Sequence, residues 1–202
     1  MDYLQLPRCA MDIETVAVPS GTTWNDQLRQ YRTHHKPTAA TVTIVDTSGT
    51  VLMDERVRHL PGEFLVNRHT LAINGLDQYS LIGGLDFKAV RQMAIDTCQG
   101  RLLILFNESS DRKSLDLYGE DCRRLVTIDL QKYFQLKNDQ GRFYPVGLKS
   151  LVHHYFKDKN FQSGSHDSKN DAMYTMRLFN EVFVPDRFHA EMKIERVAKF
   201  QE

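Results

Sequence analysis

The sequence predicts a single α/β domain on a mixed, five-stranded central sheet flanked by helices, and three observations carry that expectation. Strand-like segments come first and lie next to one another, joined by a turn signal. Helix-like and strand-like segments then alternate. One of the later strands, Leu102-Leu103-Ile104-Leu105-Phe106, is an uninterrupted apolar run, the pattern of a strand covered on both faces in a parallel sheet.

The elements follow in order. Cys9 to Glu14, Ala40 to Val45 and Val51 to Val57 read as the first three strands, and Asp46-Thr47-Ser48-Gly49 supplies the hairpin turn between the last two. The polar stretch 19–37 between the first two strands reads as an insertion loop. Phe87 to Cys98 sets Val90, Met93, Ala94 and Thr97 at helical spacing, with Gly100 as the stop. Further on, a helix is expected near Asp111 to Tyr118, a strand at Val126 to Leu130, and helices at Leu148 to Phe156 and Asp171 to Val184. Residues 1–186 form the expected domain, and 187–202 a helical tail.

Composition narrows the class. With 202 residues, 41% hydrophobic and 26% charged, the chain is neither collagenous, low-complexity nor a disordered charged tail. Its 26 Lys and Arg balance 26 Asp and Glu, so any contact with nucleic acid should be local and short rather than spread over a basic surface. The mean hydropathy is −0.45, and no apolar run approaches the roughly 20 residues of a membrane span. Met1 to Arg8 has neither the basic nor the apolar region of a secretory signal, which makes a cytoplasmic or nuclear location the default. Cys9, Cys98 and Cys122 are odd in number and widely spaced, as expected of reduced thiols rather than of a disulfide framework or a zinc knuckle.

Three acidic signals border apolar segments. Alternation along a strand sends Asp12 and Glu14 to one face, about 7 Å apart, and Met11 and Ile13 to the other; a simply wet edge strand has the same pattern. Ser165-His166-Asp167-Ser168-Lys169-Asn170-Asp171 runs into a stripe of Ala172, Met176, Phe179 and Phe183. Asp171 sits on the shoulder of that stripe, where it reads equally as part of a capping box begun by Ser168. Asn107-Glu108-Ser109-Ser110-Asp111 follows the carboxyl end of the buried strand, a place for ligands and also for ordinary helix starters.

Taken together, an Asp and a Glu in one early strand, an Asp after a middle strand, and a His five residues before an Asp opening a late helix resemble the DEDDh group of 3′ to 5′ exonucleases. Gly100-Arg101-Leu102-Leu103-Ile104, Ile128-Asp129-Leu130-Gln131-Lys132-Tyr133, Gly147-Leu148-Lys149-Ser150-Leu151 and the run from Asp171 to Phe179 are similar to the eukaryotic RNA exonuclease branch. That branch includes ribosomal-RNA processing and interferon-induced exonucleases. The resemblance covers roughly Cys9 to Val184 and implies a ribonuclease H-like fold.

It also implies a site. Asp12, Glu14, Asp111 and Asp171 would hold two Mg²⁺ or Mn²⁺ ions, and His166 would act as general base in hydrolysing single-stranded RNA to nucleoside 5′-monophosphates. Thr15, Val16, Phe106, Asn107, Arg112 and Lys149 are the expected substrate-binding residues. Lys113 and Lys169 are further candidates, and Trp24, Tyr31 and Phe106 could stack on bases. Single-stranded DNA is the alternative substrate, and a catalytically silent nucleic-acid-binding module the alternative class. A zinc site from His34, His35, His153 and His154 fits poorly, because adjacent histidines diverge and no Cys pairs accompany them.

Overall fold

The computed structural model describes residues 5–66, 68–137 and 139–185. Its central sheet contains β1 (Arg8–Asn25), β2 (Gln30–Asp46), β3 (Val51–Arg56), β4 (Leu102–Leu105) and β5 (Val126–Asp129), in the order β3-β2-β1-β4-β5. The first three strands are antiparallel neighbours, while β1, β4 and β5 run parallel. The sheet is therefore mixed. Its β2–β3 turn is built locally: Asp46 Oδ1 accepts from the amides of Ser48 and Thr50, at 2.8 and 3.0 Å, and Gly49 adopts a φ of +84° that a residue with a Cβ would resist.

Helices cover both faces. The order along the chain is α1 (Arg68–Asn74), α2 (Phe87–Cys98), α3 (Glu108–Ser114), α4 (Glu120–Arg124), α5 (Leu148–Phe156) and α6 (Ser168–Leu178), which ends in a π turn at Phe179–Phe183. A small hairpin of β6 (Gln135–Lys137) and β7 (Phe143–Pro145) precedes α5. Pleating divides β4 between two cores. Leu102 and Ile104 join Ala10, Val152, Met176 and Phe179 under α5 and α6. Leu103 and Leu105 join Met11, Ile44, Val90 and Ala94 under α2. All four β4 residues are buried, as the apolar run requires.

Several expectations are corrected. Residues 19–37 are no loop: β1 and β2 continue as a two-stranded antiparallel ribbon, paired out to Asn25 opposite Gln30. Thr22, Thr23, Trp24, Tyr31 and Thr33 suit strands, but the ribbon's residues are exposed on both of its faces, so no apolar alternation betrays it. α3 covers Glu108–Ser114 rather than reaching Tyr118, because Asp116 turns the chain at a φ of +50°. α6 begins at Ser168, three residues before the expected start. The short elements α1, α4, β6 and β7 have no clear periodic signal. The expected C-terminal tail, 187–202, lies outside the described residues. Among those residues no helix is long and apolar enough to cross a membrane.

Ile104 sits beside Ala10 in the parallel register and is fully buried. Ile104→Ala is expected to cost about 2–5 kcal/mol, read as a lower urea midpoint with an unchanged slope.

Candidate active site

The sheet face under α6 supplies the first two acids. Asp12 and Glu14 lie opposite Thr43 and Thr41 of β2. Thr43 gives its hydroxyl proton to Asp54 Oδ1 at 2.8 Å, so Ser168, 2.8 Å away, must donate to Thr43. Thr41 can then donate to Ser168 across 3.2 Å. This relay of hydroxyls seats the first turn of α6 directly on the strands that carry the acids.

Ser168 is therefore not the cap. Asp167 caps α6, accepting from the Lys169 amide at 3.1 Å, which corrects the capping box expected from Ser168 and Asp171. Relieved of capping, the buried Asp171 carboxylate faces the sheet. Gln162 Nε2 donates to its Oδ2 at 2.6 Å, His166 Nδ1 lies 3.8 Å from the same oxygen, and its Oδ1 is buried without a hydrogen-bond partner.

The fourth acid comes from α3. At the end of β4, Asn107 takes a left-handed φ of +75° and donates its amide to Asp129 Oδ1 at 3.1 Å. Two buried acids follow on α3 with opposite fates. Glu108 is matched by Arg112 at 2.7 Å, Lys132 at 3.0 Å and the Thr127 hydroxyl at 2.6 Å. Asp111 faces the site with its Oδ2 buried and unpartnered.

The electrostatics follow from this crowding. Burial raises the pKa of Asp12, and repulsion from Asp111, Asp171 and Glu14 raises it further. Burial, then Asp171 and Asp167, pushes Glu14 up to about 7. Asp171 is raised by burial to about 6, against the opposing hydrogen bond from Gln162. Asp111 is raised by burial, then by Asp129, Glu108 and Glu14. Partial burial, then the nearby Lys149, lowers His166, which favours the neutral imidazole.

These residues fit a divalent cation. Asp111 and Asp171 each hold a buried oxygen with no donor, a condition that costs free energy unless a positive charge meets it. One ligand atom each from Glu14, His166 and Asp171 lies within 4.8 Å of the others. Carboxylate oxygens suit a hard ion such as Mg²⁺ or Mn²⁺. Of the histidines weighed for zinc, His34 bonds Thr23 on the ribbon, His153 bonds the Phe161 carbonyl, His154 lies edge-on to Tyr155, and His35 lines a cleft at the ribbon's root.

Beside the acids runs a cleft of about 450 Å³, bounded by Glu14, Thr15, Val16 and Ala17 of β1, His35, Lys36 and Pro37 of β2, and Ile73 and Asn74 of α1. α1 ties its parts together. Asn74 Nδ2 donates to the Thr15 carbonyl at 2.7 Å, and the His166 amide donates to the Ile73 carbonyl. Of the expected substrate residues, Thr15 and Val16 line this cleft. Phe106 packs against the core under α6, Arg112 is paired with Glu108, and Lys149 Nζ donates to the Gln162 carbonyl at 2.6 Å. Asn74, Gln162 and the Thr41–Ser168–Thr43 relay escaped the sequence, since each acts through a contact distant along the chain. Asp167 was legible as a cap in its place before a helix.

The sheet order and the helices on its two faces define a ribonuclease H-like fold. No protein-family model matches the sequence, and a comparison with curated proteins finds no match. Solved structures do match in fold. The Neurospora crassa Pan2 catalytic unit, comprising protease and nuclease domains, aligns with a TM-score of 0.62 and 16% identity over 95% of this chain and 29% of that one. The Saccharomyces cerevisiae Pan2 pseudoubiquitin hydrolase–RNA exonuclease module, in complex with AAGGAA RNA, gives 0.61 and 15% over 98% and 33%. Escherichia coli exonuclease I, in complex with a dA16 oligonucleotide, gives 0.55 and 13% over 93% and 45%. The present chain thus spans less than half the length of each of these structures, and at such identities the likeness is one of fold.

The raised carboxyls have a consequence for stability. The folded, metal-free chain holds protons that the unfolded chain releases at lower pH. The contribution of these acids to stability is then greatest below the ordinary carboxyl range, near 4, and falls as pH rises toward about 7, where Glu14 ionises. Such shifts amount to a few kcal/mol in order of magnitude, or roughly 5–10 °C in Tm for a chain of this size. Thermal melts in EDTA are expected to show this fall between pH 5 and 8. Asp12→Asn removes one of these raised acids and should flatten it, and an equal slope in that variant would contradict the raised pKa assigned to Asp12.

Proposed function

We propose that this chain is a metal-dependent 3′ to 5′ exonuclease of the DEDDh type, close to the eukaryotic RNA exonuclease branch, releasing nucleoside 5′-monophosphates from single-stranded RNA. The observation that carries the reading is the meeting of Asp12, Glu14, Asp111 and Asp171 from three separate elements, with two buried carboxylate oxygens unpartnered and His166 at the rim. Structural acids are normally paired, as Glu108 is; four that are left to repel one another suit a task that adds positive charge.

Two divalent cations held by Asp12, Glu14, Asp171 and Asp111 would polarise the attacking water and offset charge on the leaving 3′ oxygen. His166 is the group to take the proton from that water. Its lowered pKa keeps the imidazole neutral and able to accept at neutral pH. Gln162 holds the Asp171 carboxylate in one orientation. Thr15 and Val16 form the cleft wall beside Glu14, where the terminal nucleotide would lie. RNA is favoured over DNA by the motif resemblance and by the RNA-bound Pan2 module among the similar folds; the DNA-bound exonuclease I keeps DNA as the second arm of the test.

That test uses 5′-labelled single-stranded RNA and DNA of one sequence, with Mg²⁺, Mn²⁺ or EDTA. A ladder shortening from the 3′ end, present with metal and absent with EDTA, is expected. Asp12→Ala should abolish it without unfolding the chain. His166→Ala should lower kcat by about 10²–10⁴-fold. Full activity in Asp12→Ala would overturn the metal assignment, and tight binding of both strands without cleavage would make the chain a binding module.

A further inference from the structure

Beyond the cleft, the β1–β2 ribbon extends as two strands with solvent on both sides, all its residues from Pro19 to Pro37 being exposed except the half-buried Asn25. An isolated two-stranded ribbon is marginal in water, yet this one runs for eight registered pairs, from Ala17 opposite Pro37 to Asn25 opposite Gln30. Its composition is distinctive in a chain of zero net charge. Arg29, Arg32 and Lys36 face a single acid, Asp26, with His34 and His35 beside them. Near the tip, Trp24 lies directly opposite Tyr31. Their rings meet edge to face with centroids 5.1 Å apart, and they are 51% and 73% exposed.

The ribbon is continuous with the acidic site. The strand that carries Asp12 and Glu14 is the one that carries Trp24, and His35 and Lys36 at the ribbon's root line the same cleft as Glu14. Lys36 pairs with Asp116 across 3.7 Å at an exposed position, a weak contact of the kind a phosphate can replace.

We propose that this ribbon is a docking arm for single-stranded nucleic acid, holding the strand upstream of a 3′ end seated at the acids. Trp24 and Tyr31 stack on bases, and Arg29, Arg32 and Lys36 hold phosphates between tip and cleft. The direction of the strand rests on the exonuclease reading; the docking itself does not. Charge and aromatic character select the partner, because cations interleaved with open rings match a polyanion with unstacked bases. Ten residues separate Glu14 from Trp24, on the order of 30 Å along a strand. At the roughly 3.4 Å of a stacked nucleotide about nine would cover that distance, and an unstacked strand needs fewer, so a 3-mer seated at the acids should not reach the tip.

Trp24 is the chain's sole tryptophan, which lets the arm be read without catalysis. Tryptophan fluorescence of the full chain in EDTA is titrated with unlabelled single-stranded RNA and DNA of 3 and 16 nucleotides. Quenching by the 16-mers and not by the 3-mers is expected. Trp24→Ala should weaken 16-mer binding, measured by anisotropy of a labelled probe, by roughly 5- to 150-fold, and Trp24→Phe should restore most of it. Arg29→Ala with Arg32→Ala should make the salt dependence shallower, by about 1.4 in the slope of log K against log salt.

A 16-mer that is shortened by the enzyme but neither quenches Trp24 nor responds to Trp24→Ala would overturn the arm and leave the exonuclease reading intact. Quenching without hydrolysis in any metal would uphold the arm and remove the exonuclease reading. Fluorescence that changes with protein concentration and not with oligonucleotide would assign the aromatic tip to self-association and overturn the proposal.

Discussion

Mutual repulsion among four carboxylates is the constraint around which the rest of the domain is arranged. Asp12, Glu14, Asp111 and Asp171 come from a strand and two helices, and burial in each other's company raises every one of their pKa values. Such a cluster does not assemble itself; left to side-chain forces, the acids would move apart into water. Apolar cores on both faces of the sheet, filled by β4 residues that alternate between them, supply the stabilisation that holds the three elements in place.

Finer positioning is achieved by polar contacts away from the acids. Ser168 anchors α6 through Thr43 and Thr41, and Asp167 takes over the capping of the helix. Together they leave Asp171 without a helix amide to satisfy. A comparable division of labour operates on α3, where Glu108 absorbs the local cations and Asp111 is left unmatched. In both helices the acid nearest in sequence is neutralised or used as a cap, while its neighbour keeps one buried carboxylate oxygen without a donor. The arrangement separates stability from chemistry within a single helical turn.

The mixed sheet also links the cleft to the protein's surface. Because β1 carries the first two acids and then runs on into the ribbon, the ribbon and Glu14 share one strand. The bulge where the register shifts between Glu14 and Thr15 lies at the junction. Asn74 bonds the Thr15 carbonyl there, adding a side-chain contact from α1. The His166 loop is tied to the next residue back, Ile73, so one short helix holds both the strand and the histidine.

Much of this was legible in the amino acids. Period-two alternation put Asp12 and Glu14 on one face, the apolar run placed β4, and the spacing in Phe87 to Cys98 gave α2 with its observed bounds. These signals are local, and each segment meets one kind of surroundings along its length. The ribbon was illegible for the complementary reason: its residues face water on both sides, so its pairing leaves no pattern of burial to read. The neutralisation of Glu108 by Lys132, the orientation of Asp171 by Gln162 and the anchoring of Ser168 on β2 also required the tertiary structure. The sequence by itself determined which residue types were present and which strand or helix bore them. Only the folded chain decided which acids were paired and which were left unmatched, because that depends on the donors that distant segments bring within a few ångströms.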